Sequence, residues 1–380
     1  MGELPDMAKI RDVMATDYAI VFKGAKPPED TLAQFNAIYP FLTDFLAAAT
    51  THPLFRLNLD YTISPLATRS FAPITTQIKL SRILTLHAIL ALDHHQPDLA
   101  LEDIKTNYKL AAGVGRDPSL VAGLVDIAIT AVTSQAIADG LARHAWNDAQ
   151  LADLQSELAR SDFLSQYQFT LRGELITETI PFFDYVKGTI KKKSPAFSLY
   201  SLWPRGWLDQ EKTKIIDFLF RELKSIDPQS RRVFPDVNRK IERETERAQA
   251  LPWRLVPQNF LFTISAPIFT NQSIKFALTQ VWRVDEARIA CALERYRLAH
   301  GVYPGSLDAL VPACIAELPH DIMNGHPYHY QLRPDGTYLL YSVGWNQTDD
   351  GGKVVYEKDP STQIDYKEGD WVWPTPKAKM

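Results

Sequence analysis

Helical periodicity dominates roughly the first 250 residues of this 380-residue chain and is the feature that most restricts its fold. Apolar residues recur at intervals of three and four, a spacing that places them along one face of an α-helix. Amphipathic helices can bury such faces only against other elements, so the pattern predicts a helical bundle or an irregular helical array. The predicted helices span residues 31–49, 78–93, 98–113, 119–143, 148–160 and 208–225.

The composition predicts a folded protein with an ordinary charge balance. Apolar residues make up 46% of the chain, which is enough for a sizeable core. The 41 basic and 45 acidic side chains give a net charge of −4, without the broad basic surface that binding to nucleic acid or anionic lipid requires. The lysine run "KGTIKKKS" (187–194) is interpreted as a solvated surface. We therefore predict no nucleic-acid partner.

The sequence contains no uninterrupted run of 18 apolar residues, so no transmembrane segment is predicted. Its start, "MGELPDMAKIRDVM", has neither the basic end nor the apolar centre of a signal peptide. An N-terminal membrane anchor in a longer form of the protein is left open.

Two cysteines, Cys291 and Cys314, are interpreted as unpaired buried thiols. They lie too far apart in sequence for a CxxC redox pair, and two thiols alone cannot form a structural zinc site. The alternative is one disulfide between them, which would imply an oxidising envelope compartment.

The helical pattern breaks between residues 181 and 210, where prolines, glycines and aromatic residues crowd together. We interpret this stretch as a loop or short-helix excursion. Its aromatic side chains either pack the excursion down or line a ligand groove. They are Phe182, Phe183, Tyr185, Phe197, Tyr200, Trp203 and Trp207.

From Arg283 onwards the sequence predicts a small α+β module. The segment "RVDEARIACALERYRLAHG" begins with acidic residues, ends with basic residues and is terminated by Gly301, as a helix would be. Two alternating runs joined by Pro-Asp-Gly in "YHYQLRPDGTYLLYSV" predict a β-hairpin, and "KVVYE" (353–357) and "WVW" (371–373) are candidate further strands. The predicted organisation is a helical domain at 1–255, a connecting segment at 256–282 and an α+β domain at 283–380.

Three consecutive segments of this module carry a resemblance to a known family. The order "ALERYRLAHGVYPGSLDALVP", "LPHDIMNGHPYHY" and "DGTYLLYSVGWNQTDDGG" resembles the soluble part of the major pseudopilin of type II secretion. It is also similar to a group of Verrucomicrobia and Planctomycetes proteins that join a helical region to such a tail, a likeness that extends to residues 146–174. The resemblance implies a helix packed on a small antiparallel sheet, and a calcium-binding loop after the sheet. Because some 280 residues precede the module, assembly into a filament in the manner of a pilin is not expected.

The residues of the loop agree with a calcium site. Calcium takes six to eight oxygen ligands in a flexible geometry, and Ser342, Asn346, Asp349 and Asp350 are the candidate ligands, together with backbone carbonyls. Glycines in the loop allow the backbone to turn carbonyls inward. With two adjacent carboxylates the expected affinity is modest, roughly 0.1–1 mM. The alternative is a polar turn that binds no ion.

The common catalytic signatures GxSxG, GxxxxGK[ST], GxGxxG and HExxH are absent from the sequence, and no catalytic residue is predicted. Glu174 and Glu178 lie one helical turn apart and are interpreted as surface charges. In the alternative interpretation they form an acid/base or metal-binding pair near Arg172. The histidines of "HDIMNGHPYH" (320–329) are interpreted as solvent-facing or capping residues rather than zinc ligands.

The leading hypothesis is a non-enzymatic bacterial cell-envelope protein, periplasmic or otherwise extracytoplasmic, that binds or scaffolds an unidentified protein or envelope component. Its C-terminal module would be pseudopilin-like and stabilised by calcium. Two alternatives are an enzyme, such as a hydrolase, with its site in the helical domain, and a cytoplasmic helical protein-interaction module.

Overall fold

A computed structural model of the chain describes residues 31–51, 72–187, 203–250, 260–357 and 364–374. Helices hold 66% and strands 9% of the described residues, with small antiparallel sheets near the C-terminus. The prediction of a mainly α protein with a small C-terminal α+β part is therefore confirmed at this level. The N-terminal segment, residues 188–194 of the lysine run, Phe197 and Tyr200 lie outside the described residues.

Helices occupy all six predicted spans, but residues 31–49 are divided between two helices, the helix predicted from residue 78 begins at residue 72, and further helices lie between and after the predicted ones. Three long helices, Ala72–Asp93, Pro97–Val114 and Leu120–Ala142, pack against one another. The bounds are α1 Thr31–Ile38, α2 Phe41–Thr51, α3 Ala72–Asp93, α4 Pro97–Val114, α5 Leu120–Ala142, α6 Asp148–Leu158, α7 Phe163–Glu174, α8 Ile180–Val186, α9 Arg205–Glu222, α10 Pro235–Ala250 and α11 Phe260–Phe269.

Local residues explain why these helices begin where they do. Pro97 occupies the first turn of α4, where its missing N–H costs nothing. The Ser119 side chain accepts the N–H of Ala122 at 3.2 Å at the start of α5. Asn147 and Gln150 form a reciprocal capping box at the start of α6.

A continuous helix joins the bundle to the C-terminal sheet, and we call it the central helix. It begins as α12 (Gln272–Thr279), passes through a π-helical segment (Gln280–Asp285) and continues as α13 (Glu286–His300). Gly301 ends it with a φ of +79°. The helix predicted from residue 283 is thus the second part of a longer one. A π-helical turn displaces the apolar stripe, so the spacing of three and four is not continuous across it.

The C-terminal strands form two small antiparallel sheets. β3 (His329–Leu332) pairs with β4 (Tyr338–Ser342), and β4 pairs with β7 (Trp371–Trp373). A second sheet contains β5 (Val354–Tyr356) and β6 (Ile364–Gly369). The predicted hairpin and both further strands are confirmed. A short hairpin, β1 (Ile226–Asp227) with β2 (Arg232–Val233), precedes α10.

One hydrophobic core runs through the helical bundle, the central helix and the sheet. Leu154 of α6 and Ile289 of α13 belong to the same buried cluster as Trp371 of β7. Trp282 of the central helix packs on Trp371 with ring centroids 6.3 Å apart. The core therefore continues across the predicted boundaries at residues 255 and 283, and the sheet and the bundle share buried apolar surface.

Among the described residues, α5 is the helix that is long and apolar enough to cross a membrane by length and composition. Within its most apolar window, 61% of the residues are buried inside the protein. Ile129 and Ile137 are both fully buried and belong to core clusters. This is how a central core helix behaves, because its apolar residues contact other helices on several sides.

The two cysteines are buried and free, as predicted. Burial in apolar surroundings raises the pKa of the Cys291 thiol to about 12. A thiol with so high a pKa is almost entirely protonated at neutral pH and is a poor nucleophile.

Candidate functional site

The loop after β4 separates the four predicted calcium ligands into two groups. Asp349 and Asp350 are exposed and Asn346 is partly exposed, whereas Ser342 is fully buried. The Ser342 hydroxyl accepts the N–H of Gly344 at 3.2 Å and is hydrogen-bonded to the buried Asp321. Ser342 therefore supports the loop from inside the protein, and only the other three lie at its surface.

Short-range hydrogen bonds hold the exposed part of the loop. The Asn346 side-chain amide donates to Asp350 Oδ2 at 2.9 Å. Asp349 Oδ1 accepts from the Tyr341 hydroxyl at 2.9 Å and from the Gly351 N–H at 3.0 Å. The bond from Gly351, with that from Tyr341, lowers the pKa of Asp349. Asp349 is thus held as a carboxylate at the loop surface.

Asp370, between β6 and β7, anchors the same loop and was not anticipated from the sequence. Its carboxylate accepts the N–H of Asp350 at 3.0 Å and the N–H of Gly352 at 2.7 Å. Burial raises the pKa of Asp370, and the charges of Asp350 and Asp349 raise it further. The only indication of this role in the sequence is that Asp370 directly follows a glycine. In the structure that glycine, Gly369, has a φ of +72°.

A buried carboxyl group fixes the start of the loop from behind. Asp321 accepts the N–H of Val343 at 3.0 Å and the N–H of Met323 at 2.9 Å. Burial raises the pKa of Asp321, and these backbone bonds offset part of that effect. The loop is therefore attached at both ends by aspartates that lie outside it.

Two further buried acids lie on the central helix behind the loop. The Arg231 guanidinium contacts both oxygens of Asp285 at 3.1 Å, and the Tyr328 hydroxyl donates to Asp285 at 3.2 Å. Burial, with the neighbouring Asp321 and Asp285, raises the pKa of Glu286 well above its usual range. Three ionised carboxylates in this buried region would repel each other strongly, which favours the neutral form of Glu286.

Across the part of the chain that the structure describes, no group of three or more His, Cys, Asp or Glu side chains is arranged to hold a metal ion. A calcium ion at the loop would therefore depend on amide and backbone oxygens as well as carboxylates. Calcium sites commonly use such mixtures, so Asn346, Asp349, Asp350 and the neighbouring carbonyls fit the donor class. Ser342 does not, because its hydroxyl is occupied inside the protein.

The predicted surface pair Glu174 and Glu178 is buried, so that expectation is wrong. Glu174 Oε2 accepts the backbone N–H of Leu120 at 2.8 Å, at the start of α5. A carboxylate is stabilised there by the unpaired N–H groups and the partial positive charge of a helix N-terminus. Nearby, Arg172 and Ile176 line an open surface groove.

The histidines at 320–329 point to different neighbours. His320 Nε2 lies 3.2 Å from the carbonyl oxygen of Arg231. His329 stacks on Tyr341 with ring centroids 4.8 Å apart and lies 3.5 Å from Asp349. His329 therefore borders the loop, while His320 borders the β1–β2 hairpin.

The aromatic residues of the 181–210 excursion that the structure describes contact one another and the main core. Phe183 and Tyr185 are buried in the main core. Phe182 meets Phe183 edge to face at 5.5 Å, and Trp203 meets Trp207 in the same manner at 6.3 Å. The packing interpretation is therefore confirmed for Phe182, Phe183, Tyr185 and Trp203, whereas Trp207 is exposed.

Comparison of the chain with protein-family models, with curated proteins and with solved structures finds no match.

Proposed function

We propose that this protein binds or scaffolds another protein or a component of the bacterial cell envelope, and that its pseudopilin-like C-terminal module is stabilised by calcium. The observation that supports the calcium part is the accumulation of Asp349, Asp350 and Asp370 around one loop. Like charges held this close repel each other, and a divalent cation offsets that repulsion. Asn346 and backbone carbonyls would complete the ligand set.

In this proposal the ion has a structural role. Asp370 holds the loop against β6 and β7, and Asp321 holds its start against the core. The strand that follows Asp370 carries Trp371, which packs on Trp282 of the central helix. An ion that orders the loop would therefore stabilise the sheet and, through it, the helix that continues into the bundle.

The expected affinity bears on location. A site with few carboxylates binds calcium in the range of extracellular modules, on the order of 0.1–1 mM. Such a site fills where calcium is abundant, so an extracytoplasmic location follows if the proposal holds.

A thermal melt tests the calcium part. The purified protein is melted in chelator and then across added calcium and, separately, magnesium; an ion that binds only the folded state raises the Tm with concentration. We expect calcium to raise the Tm of the wild type, and the double variant Asp349→Ala/Asp350→Ala to show no response.

A matched control removes two exposed carboxylates elsewhere in the module. Asp308 and Glu317 are both exposed, so Asp308→Ala/Glu317→Ala makes the same change in net charge and should keep the calcium response. If the wild-type melts in calcium and in chelator coincide, the loop is a polar turn and the calcium proposal fails.

The hydrolase alternative has less support from the described residues. Glu174 is used as a cap for α5, and Arg172 donates to Gln168 within its own helix. An acid/base pair needs both carboxyl groups directed at a shared substrate, and Glu174 is instead directed at a backbone amide.

A further inference from the structure

A cleft of about 460 Å³ lies between the C-terminal end of α4, the turn after α6 and the start of α7. Its inner surface includes Tyr108 and Asp126, and Phe163 and Phe169 provide an apolar wall. This volume is within the range of pockets that hold small molecules. The cleft shares no residue with the acidic loop, so it is independent of the function proposed above.

Two buried polar side chains line the cleft and make few hydrogen bonds within the protein. Asp126 is 8% exposed, and the Thr130 hydroxyl lies at the long hydrogen-bond distance of 3.5 Å from its Oδ1. Tyr108 is 4% exposed, and its hydroxyl has no hydrogen-bond partner among the residues the structure describes. Buried polar groups are normally satisfied, because leaving one unpaired costs about 1–3 kcal/mol. Asp126 is therefore suited to bind a ligand, whereas the Tyr108 hydroxyl has almost no solvent-accessible surface and stays inside the protein.

The backbone approaches Asp126 closely because Gly115 has no side chain. A Cβ at this position would lie 2.5 Å from Asp126 Oδ2. Gly115 directly follows α4, whose last carbonyls give that helix end a partial negative charge. The inner part of the cleft therefore combines a carboxyl group and a helix C-terminus, which together favour a cation.

The rim has the opposite character. Arg116 is exposed and has no side-chain partner among the described residues, and Lys109 and Arg160 also line the cleft. Arg160 pairs with Glu157, and Lys109 donates to a backbone carbonyl, so Arg116 is the cation best placed to meet a ligand. The rim favours an anion, and it lies next to the exposed ring of Phe169.

We propose that the cleft binds a small zwitterion, a free α-amino acid or a dipeptide with an apolar side chain. Its ammonium group binds Asp126, its carboxylate binds Arg116, and its side chain packs against Phe169. A simple anion would leave Asp126 and the helix C-terminus unused, and a simple cation would leave Arg116 unused. A zwitterion satisfies both ends.

Protonation gives the proposal a measurable signature. Burial raises the pKa of Asp126 to about 8, so the free carboxyl is mostly protonated at pH 7 and must lose its proton to pair with an ammonium group. Affinity should therefore increase with pH, up to about tenfold per unit, until about pH 8. The other titratable groups around the cleft are Tyr108, Glu157 and Asp162, with the rim cations Lys109, Arg116 and Arg160.

Isothermal titration calorimetry on the whole chain tests the proposal with L-leucine, L-phenylalanine, leucyl-leucine, N-acetyl-L-leucine and L-leucinamide. We expect at least one of the first three to bind, and removal of either charge of that ligand to weaken binding at least tenfold. Asp126→Asn should weaken binding at least tenfold and abolish its pH dependence. Arg116→Gln should weaken binding of leucine but not of leucinamide.

Controls separate binding from folding. Asp126→Asn replaces a buried carboxyl group that is mostly neutral at pH 7 by a neutral amide of similar shape, so its Tm at pH 7 should not fall far below that of the wild type. Asp153→Asn changes an exposed aspartate of α6 outside the cleft and should bind like the wild type. The proposal is overturned if none of the five probes binds at millimolar concentration, if the N-acetyl form binds as well as the free amino acid, or if folded Asp126→Asn binds unchanged.

Discussion

The Glu174 carboxylate accepts the backbone N–H of Leu120 at 2.8 Å, across 54 residues of sequence. Leu120 is the first residue of α5, the most apolar long helix of the bundle, and Ser119 caps the same helix start. The end of α7 and the beginning of α5 are thereby held together by a charge-assisted hydrogen bond, which is stronger than a bond between neutral groups.

Removal of this contact should destabilise the fold. We expect Glu174→Ala to lower the free energy of unfolding by about 1–3 kcal/mol, because a buried N–H is left unpaired. Glu174→Gln keeps an acceptor oxygen and should lose less. Urea unfolding measures both, with Glu102→Ala as a control at an exposed position of α4 that should change stability by less than about 0.5 kcal/mol. Equal losses in Glu174→Ala and Glu102→Ala would contradict the capping role.

A buried pair between His87 and Asp103 predicts non-additive substitutions. His87 Nδ1 lies 2.7 Å from Asp103 Oδ2, and both side chains are buried. His87→Leu alone leaves an unpaired buried carboxyl and should cost about 3–5 kcal/mol, whereas replacing both partners by apolar residues is often close to neutral. The double variant His87→Leu/Asp103→Leu should therefore be more stable than His87→Leu in urea unfolding. A double variant that is less stable than the single one would show that the pair is not the source of the loss.

Two glycines in helices should respond oppositely to alanine. A Cβ at Gly173 would lie 1.9 Å from the backbone oxygen of Pro118, whereas Gly206 has no neighbour within 4 Å. Gly173→Ala must displace backbone and should cost about 1–3 kcal/mol or more. Gly206→Ala should be neutral or stabilise by about 0.4–1 kcal/mol, because alanine loses less entropy in a helix. Thermal and urea unfolding of the two variants decide this; a stable Gly173→Ala protein would mean that α7 is packed less closely against Pro118.

Asp126 should make stability depend on pH. Its folded-state pKa is about 8 against an ordinary value of 3.8, so the folded protein retains a proton that the unfolded chain releases. The stabilisation from this proton is complete below about pH 4, declines as pH rises and is lost above about pH 8. Between pH 5 and 7 the wild type should lose up to about 1.4 kcal/mol per pH unit relative to Asp126→Asn. If the difference in unfolding free energy between the wild type and Asp126→Asn stays constant over this range, Asp126 is more accessible to water than its burial indicates.

Asp370 should control the acidic loop from outside it. Asp370→Ala leaves the N–H groups of Asp350 and Gly352 without their acceptor, and we expect a loss of about 1–3 kcal/mol. The same variant should lose the calcium-dependent rise in Tm although Asp349 and Asp350 are intact. Glu317→Ala, at an exposed position, is the control. A full calcium response in Asp370→Ala would show that calcium binding does not depend on Asp370.

Elements whose signals are local were predictable from the sequence alone. The helices at 97–114 and 120–142 lie within one residue of the predicted spans, because their apolar spacing is regular and Pro97 and Ser119 mark their starts. The hairpin of β3 and β4 follows from alternation and from a turn that Gly336 completes with a φ of +81°. The spacing of apolar residues and the residue types of a turn depend on neighbours in the sequence. They can therefore be recognised without knowing how the chain packs.

Tertiary structure alone decided where the charged groups lie and what they contact. Glu174 resembles an ordinary surface charge in sequence, and its role appears only because the start of α5 reaches it. Asp321 and Asp370 bind backbone amides that are 22 and 20 residues away, and Ser342 is buried at the end of β4 whereas Asp349 and Asp350 are exposed. A side chain's pKa and partners depend on what packs around it, and residues distant in sequence supply those surroundings. The sequence by itself therefore determined the elements and their order, while the folded chain determined the sites.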